Sequence, residues 1–165
     1  MDAHEALLRA RAIMTDITPL KTDCGRICGH ACCEADEDGQ GGMLLFPTEE
    51  RLYTSLPDGF SVTQDTAIPN ALLLTCDGHC TRAQRPLSCM LFPLLPKEKG
   101  GCIRAVRDGR AWAVCPLMDS GLSGLDPAFV SAVQAAGEVL YACPEHRRFL
   151  QNIHALIASF QTRRI

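Results

Sequence analysis

A chain of 165 residues, 47% hydrophobic and 21% charged, has the length of one ordinary domain and enough apolar content to bury a core. It is neither wholly disordered nor collagen-like. The formal net charge is -3 and the 16 Lys and Arg are scattered, which argues against a nucleic-acid partner or an anionic-membrane surface.

From Asp2 to about Ile17 the apolar residues Ala6, Leu7, Ala10, Ile13, Met14 and Ile17 recur at three- and four-residue steps, the period of an amphipathic helix. Asp2 with Glu5 resembles a capping box. Pro19 ends the pattern, and Asp23 to Gly42 is a stretch of Cys, Gly and acidic residues without periodicity, too polar to pack unaided. Met43 to Phe46 reads as a short strand, and Thr48 to Tyr53 as a short helix capped by Thr48. Ala71 to Thr75 is a compact apolar strand delivering the chain to Cys76, and Asp77 to Pro96 reads as loop with a helical turn after Pro86. Cys102 to Val106 and Arg110 to Val114 flank an Asp108-Gly109 pair, the signal of a tight hairpin turn. Asp126 before Pro127 starts a helix with Phe129, Val130, Val133, Ala136 and Leu140 as its stripe. A second helix begins near Pro144, with Phe149, Ile153, Leu156, Ile157 and Phe160 on one face and Arg163 and Arg164 at its positive-favouring end. The expected fold is α+β and one domain over residues 1–165. An N-terminal helix and a C-terminal helical pair (126–162) flank a small, irregular, cysteine-rich, metal-bound core (20–118) with short strands or a hairpin.

No stretch of about 18 apolar residues could span a bilayer. The start Met1-Asp2-Ala3-His4-Glu5 is acidic where a secretory leader would be basic and then apolar. The expectation is a cytoplasmic chain with no membrane partner, and ten cysteines in a reducing compartment point to metal binding or redox chemistry rather than structural disulfides. Cys24, Cys28, Cys32 and Cys33 lie within ten residues, with Gly25 and Gly29 each directly after a cysteine. Small residues there let backbone amides turn toward sulfur and share its negative charge. Cys76, Cys80 and Cys89 form a second group and Cys115 before Pro116 supplies an eighth thiol. Four sulfurs suffice for one tetrahedral zinc or one iron-sulfur cluster. Cys102 and Cys143 are expected as plain core, since free cysteine packs as a small hydrophobe. The vicinal Cys32-Cys33 pair argues against an ordinary disulfide between its own members. The three-residue gaps differ from a zinc ribbon's two-residue spacing and leave the metal's identity open between zinc and an iron-sulfur cluster. Arg26, Arg82 and Arg85 stand where they could relieve thiolate charge, or equally be solvated. Arg85 is held extended by Pro86. Imidazole also ligates zinc, but with so many thiols nearby His30 and His79 are expected in a supporting or exposed role. His4, His146 and His154 read as surface or satisfied helical histidines.

These residues resemble a known group. Cys24-Gly-Arg-Ile-Cys28-Gly-His-Ala-Cys32-Cys33, Met43-Leu-Leu-Phe-Pro-Thr-Glu-Glu50 and Cys80 with Arg85-Pro86-Leu-Ser-Cys89-Met-Leu-Phe92-Pro93 are similar to the YkgJ-type cysteine-cluster family, described as zinc- or iron-chelating. The likeness runs from about Cys24 to Cys115. It departs in the three-residue gaps of the first motif, in Met90 where an arginine is usual, and in lacking the aromatic residue usual before Arg85. The resemblance implies metal binding by Cys24, Cys28, Cys32, Cys33, Cys80 and Cys89; Cys76 and Cys115 are added from their place in the sequence and the need to close a second arm. Some relatives are linked to flagellin lysine N-methylation, but no glycine-rich cofactor loop here supports methyl transfer.

The leading expectation is a metal-binding protein whose ion ties the Asp23–Gly42 segment to the Cys76–Cys89 arm, with coordination contributing directly to folding. An enzyme using a metal-activated thiolate or a cluster for transfer or redox chemistry is the alternative. Against it, the motif holds no paired general base, Asp77 and Glu34 reading as solvated carboxylates. A third reading is a metal-delivery or sensing module, in which exposed thiols beside mobile glycines exchange their ion.

Overall fold

The computed structural model describes residues 1–34, 41–78 and 80–162. Helix α1 (Ala3–Met14) starts where the sequence places it, with Asp2 Oδ1 accepting the Glu5 N–H at 2.8 Å. It stops short of Ile17, which still packs on the core from beyond the helix end. Leu7, Ala10 and Met14 are fully buried, and each large side chain removed from water in this way contributes about 1.5–3 kcal/mol.

Three strands form the first sheet. β1 (Met43–Leu45) and β2 (Ser61–Gln64) lie antiparallel on either side of β3 (Leu72–Thr75), with Leu45 and Gln64 both opposite Leu72. β2 has no sequence signature of its own, because its residues are mostly exposed and carry no alternating apolar face. Between β1 and β2, residues Glu49–Tyr53 form a 3-10 helix as a short helix was expected, but Thr48 does not cap it. Thr48 sits at φ 69 and its buried Oγ1 has no partner among the described residues.

The hairpin is displaced from its expected position. β5 (Cys102–Arg107) pairs with β4 (Leu94–Lys99) across Gly100-Gly101, so that Lys99 faces Cys102. Both glycines have positive φ, 58 and 77, as a two-residue primed turn requires. Asp108 instead starts a 3-10 helix over Gly109–Ala113, accepting the Arg110 N–H at 2.9 Å and pairing with its guanidinium at 2.6 Å. A charged side chain that caps the chain locally has displaced the turn. Pro96 sits inside β4 opposite Ala105, a position open to proline because both strands of a two-stranded sheet are edges.

The C-terminal pair forms as expected. α4 (Pro127–Ala142) begins with Asp126 Oδ1 on the Ala128 N–H at 2.9 Å. α5 (Pro144–Thr162) follows after Cys143. Phe129, Val133, Ala136 and Leu140 are buried, Val130 partly so. In α5, Phe149, Leu150 and Ile153 are buried and Leu156 and Ile157 half-buried, but Phe160 is 52% exposed: the stripe runs past the end of the core. Arg163 and Arg164 lie outside the described residues. α4 lies so close to the hairpin that a Cβ on Gly137 would stand 2.4 Å from Pro96 Cβ. One contiguous apolar cluster joins α1, α3 (Leu87–Leu91), α4, α5, β1 and both hairpin strands. Phe46 sits in it edge-on to His146 and 5.0 Å from Phe149. Among the described residues no helix is long and apolar enough to cross a membrane.

Cys143 is buried beside Ala3 and Ala6, as expected of a core cysteine. Cys102 is not: it is exposed at the hairpin turn, where alternation along a two-stranded edge turns it to solvent.

Candidate functional site

The first cysteine arm is built by backbone turns. Asp23 Oδ1 accepts the Gly25 N–H at 3.1 Å, and the single turn α2 (Gly25–Cys28) follows. Gly29 closes it in the left-handed region at φ 63, and His30 repeats that conformation at φ 62, an unusual one for a residue with a side chain. The two successive left-handed residues reverse the chain into a 3-10 helix holding Cys32 and Cys33, whose sulfurs are 4.0 Å apart. The His30 ring lies over Gly25, where a Cβ would stand 2.3 Å from its Nδ1, so the glycine is needed for close approach.

The second arm leaves β3 through Cys76 and turns at Gly78, φ 85, to Cys80. Gln84 Oε1 accepts the Thr81 N–H at 2.8 Å, closing a 3-10 turn over Arg82–Gln84. Arg85 is extended at φ -67, ψ 133, as the following proline dictates, and α3 then carries Cys89.

A buried ion pair outside the sequence expectation holds this arm in place. Glu49 is fully buried and receives the Arg11 guanidinium at 2.7 Å, the Phe46 N–H at 3.0 Å and the Leu87 N–H at 2.7 Å. Arg11 in turn donates to the carbonyls of Arg85 (2.8 Å) and Ala83 (3.3 Å), and Tyr53 donates to that of Gln84 at 2.9 Å. Burial pushes the Glu49 carboxyl up from its ordinary value against the pull of these donors. Arg82 reaches the other way. Its guanidinium donates to the carbonyls of Met14, Thr15 and Ile17 at and just beyond the end of α1, where a helix leaves carbonyls without an intrahelical partner. The chain from Cys80 to Cys89 is thus fixed through side chains from α1 and the Glu49 turn.

The two arms converge. One cavity of about 90 Å³ is lined by all eight cysteines of the expected ligand set, including Cys76 and Cys115, with Asp23, His30, Arg82 and Arg85 on its wall. Cys102 and Cys143 do not line it. Nor does Arg26, which is exposed; of the three arginines that could relieve thiolate charge or be solvated, Arg82 and Arg85 line the cavity and Arg26 takes the solvated place. His79 lies outside the described residues. All ten cysteines are free thiols.

The thiols press on one another. Cys24, Cys76, Cys89 and Cys115 are each pushed up by burial, and neighbouring sulfurs add to the shift. Cys32 is raised by its contact with Cys33, whose thiol is in turn lowered to about 6 by that same hydrogen bond, with Arg85 and His30 helping. Arg85 and Cys80 share the cavity wall. A crowd of sulfurs whose ionised forms repel is a donor set that a cation would relieve. As they stand, no three His, Cys, Asp or Glu side chains among the described residues are grouped closely enough to grip an ion. Coordination would draw the sulfurs inward across the cavity they share.

His154 and His146 each donate from Nε2 to a carbonyl, of Pro96 at 2.9 Å and of Ala3 at 2.7 Å, but neither His146 nor His4 is fully satisfied as expected: the Nδ1 of each is buried with no partner among the described residues. No family model, no curated protein and no solved structure matches the chain.

Proposed function

We propose that this chain is a metal-binding protein whose clustered cysteine thiolates hold zinc or an iron-sulfur cluster. One observation carries the reading: eight cysteines drawn from two distant stretches and from Cys115 line a single cavity, while the two assigned to other roles lie elsewhere. The resemblance of the cysteine motifs to the YkgJ-type family points the same way. Thiolate is the ligand form for either metal, and a reducing cytoplasm keeps the sulfurs available.

When bound, the ion supplies a positive centre that the thiolates need and a covalent tie between the arms. Residues 20–34 offer few buried apolar side chains, so coordination supplies much of what holds them. Arg85 and Arg82 lie on the cavity wall, where their positive charge offsets that of the thiolates. Because ligation requires deprotonated sulfur, the site loosens on acidification.

The test is elemental analysis of protein purified without air or chelator, with its visible spectrum. Stoichiometric zinc in colourless protein, or iron with sulfur-to-iron absorption, supports the reading. Protein that binds neither metal, and whose hydrogen exchange over residues 20–34 is unchanged by a strong chelator, refutes it.

A further inference from the structure

A second cleft lies away from the sulfurs. It holds about 610 Å³ and shares no lining residue with the cysteine cavity, and its volume falls within the range of small-molecule sites. Three walls form it: the corner that follows β1, the segment between β2 and β3, and the start of α5.

Each wall is fixed by its own chemistry. The segment between the strands is closed on itself, with Asp65 Oδ2 accepting the Ala67 and Ile68 N–H groups at 2.9 and 2.6 Å and the Ala71 carbonyl accepting the Asp65 N–H at 2.9 Å. On α5, Glu145, Arg148, Phe149 and Asn152 face the cleft, the i, i+3, i+4, i+7 spacing of one helical face. Thr48 on the corner and Asn70 on the intervening segment lie in the left-handed region, at φ 69 and 61; among the described residues His30 is the only other non-glycine residue there. A β-branched residue in that region is an outlier, and strain of this kind gathers at ligand sites.

The floor is apolar. Phe46, Ile68, Ala71 and Phe149 are buried along it, the two rings 5.0 Å apart. Its rim carries both signs of charge on different walls: Glu50 beside the corner, and Arg148 and Glu145 on α5, all exposed. None of the three makes an ion pair among the described residues. Opposite charges set on separate walls above an apolar floor suit a molecule that carries both charges on an apolar body. Such a molecule, seated on the floor, excludes water from its charged ends and strengthens contacts that are weak between exposed groups.

We propose that this cleft binds a small zwitterion with an apolar body, an apolar amino acid or a short apolar peptide, its carboxylate on Arg148 and its ammonium on Glu50. The floor takes the side chain, and the exposed amides of Gln64 and Asn152 offer donors and acceptors to the ligand's polar groups.

The test is NMR of the isotope-labelled full chain, as isolated, titrated with L-phenylalanine and separately with the dipeptide leucyl-phenylalanine. Saturable binding of at least one of them with Kd under about 1 mM is expected, read at the methyl groups of Leu45, Ile68 and Leu72 in the cleft wall. The tighter of the two tells whether free amino acids or peptides are the source. N-acetylation and C-terminal amidation of the probe are each expected to weaken binding about fivefold, as are Glu50→Gln and Arg148→Gln at their exposed positions. No saturable binding under about 1 mM by either probe overturns the proposal, and so do shifts confined to the cysteine cavity or variants that bind like the parent. Blocked and unblocked probes binding alike also overturns it, since the cleft is then only an apolar groove. If a variant fails to fold, the blocked probes decide, because they leave the protein unaltered.

Discussion

Replacing Glu49 by Gln changes one atom in a place where the structure tolerates little. The carboxylate accepts from the Phe46 and Leu87 N–H groups and from Arg11, and it is wholly removed from water. A carboxamide presents one oxygen and one NH2, so at least one of these donors faces another donor, and the Arg11 charge loses its counterion. Removing one partner of a buried pair costs about 3–5 kcal/mol. The Arg11 side chain is 14% exposed and keeps two backbone carbonyls, which argues for the low end, about 3 kcal/mol. For a chain of this size that lowers Tm by about 6–12 °C. Urea unfolding of the Gln variant measures the free energy, and alkylation of Cys89 measures the local consequence, because α3 is anchored through its Leu87 N–H on this same side chain. Both are expected to change together, while the exposed neighbour Glu50→Gln leaves both alone. A Glu49→Gln protein within about 0.5 kcal/mol of the parent, the ordinary range of surface changes, with unaltered Cys89 reactivity, would refute the claim that this pair holds the second arm.

Gly137→Ala is expected to cost about 1–3 kcal/mol in chemical unfolding, since the new methyl meets Pro96 Cβ and Ile103 Cγ2, the latter at 2.8 Å, and neither can swing away. Asp126→Ala removes the acceptor for the Ala128 N–H and is expected to lower stability by about 1 kcal/mol with thiol reactivity at the cavity unchanged. Burial holds both His146 and His154 below the ordinary histidine value, and His146 Nδ1 is buried without a partner, so protonating it would strand a donor. The unfolded chain therefore binds more protons than the folded one under acid conditions. Stability is full above about pH 6.5 and falls as the pH drops through and below that value. Urea midpoints at pH 7.5 and 5.5 measure this, and His146→Gln, which keeps an N–H for Ala3 but does not titrate, is expected to flatten the slope.

The helices were legible because their signals are local: Asp2 and Asp126 cap where they stand, and the apolar stripes mark the buried faces. The hairpin was misplaced because two turn signals competed, Gly100-Gly101 and Asp108-Gly109, and the pattern of residues does not reveal that Asp108 is taken up locally by the Arg110 N–H and guanidinium. The membership of the cavity was legible in cysteine spacing, Cys76 and Cys115 included. Its support was not. Glu49 and Arg11 lie 38 residues apart, each looks like an ordinary surface charge in its own helix, and no local pattern announces that they meet. Cys102 shows the opposite failure, since burial propensity cannot tell a hairpin's inner face from its tip.

Arg82 makes the end of α1 and the turn beyond it a wall bracket for residues 80–85, none of which is buried. This stretch borrows its rigidity from the carbonyls of Met14 and Ile17, at and beyond the end of α1, so the two open as one cooperative unit. Fraying of α1 is thereby transmitted to sulfur chemistry at the far end of the guanidinium, and amide exchange in Ile13 to Ile17 should rise in step with thiol accessibility at Cys80.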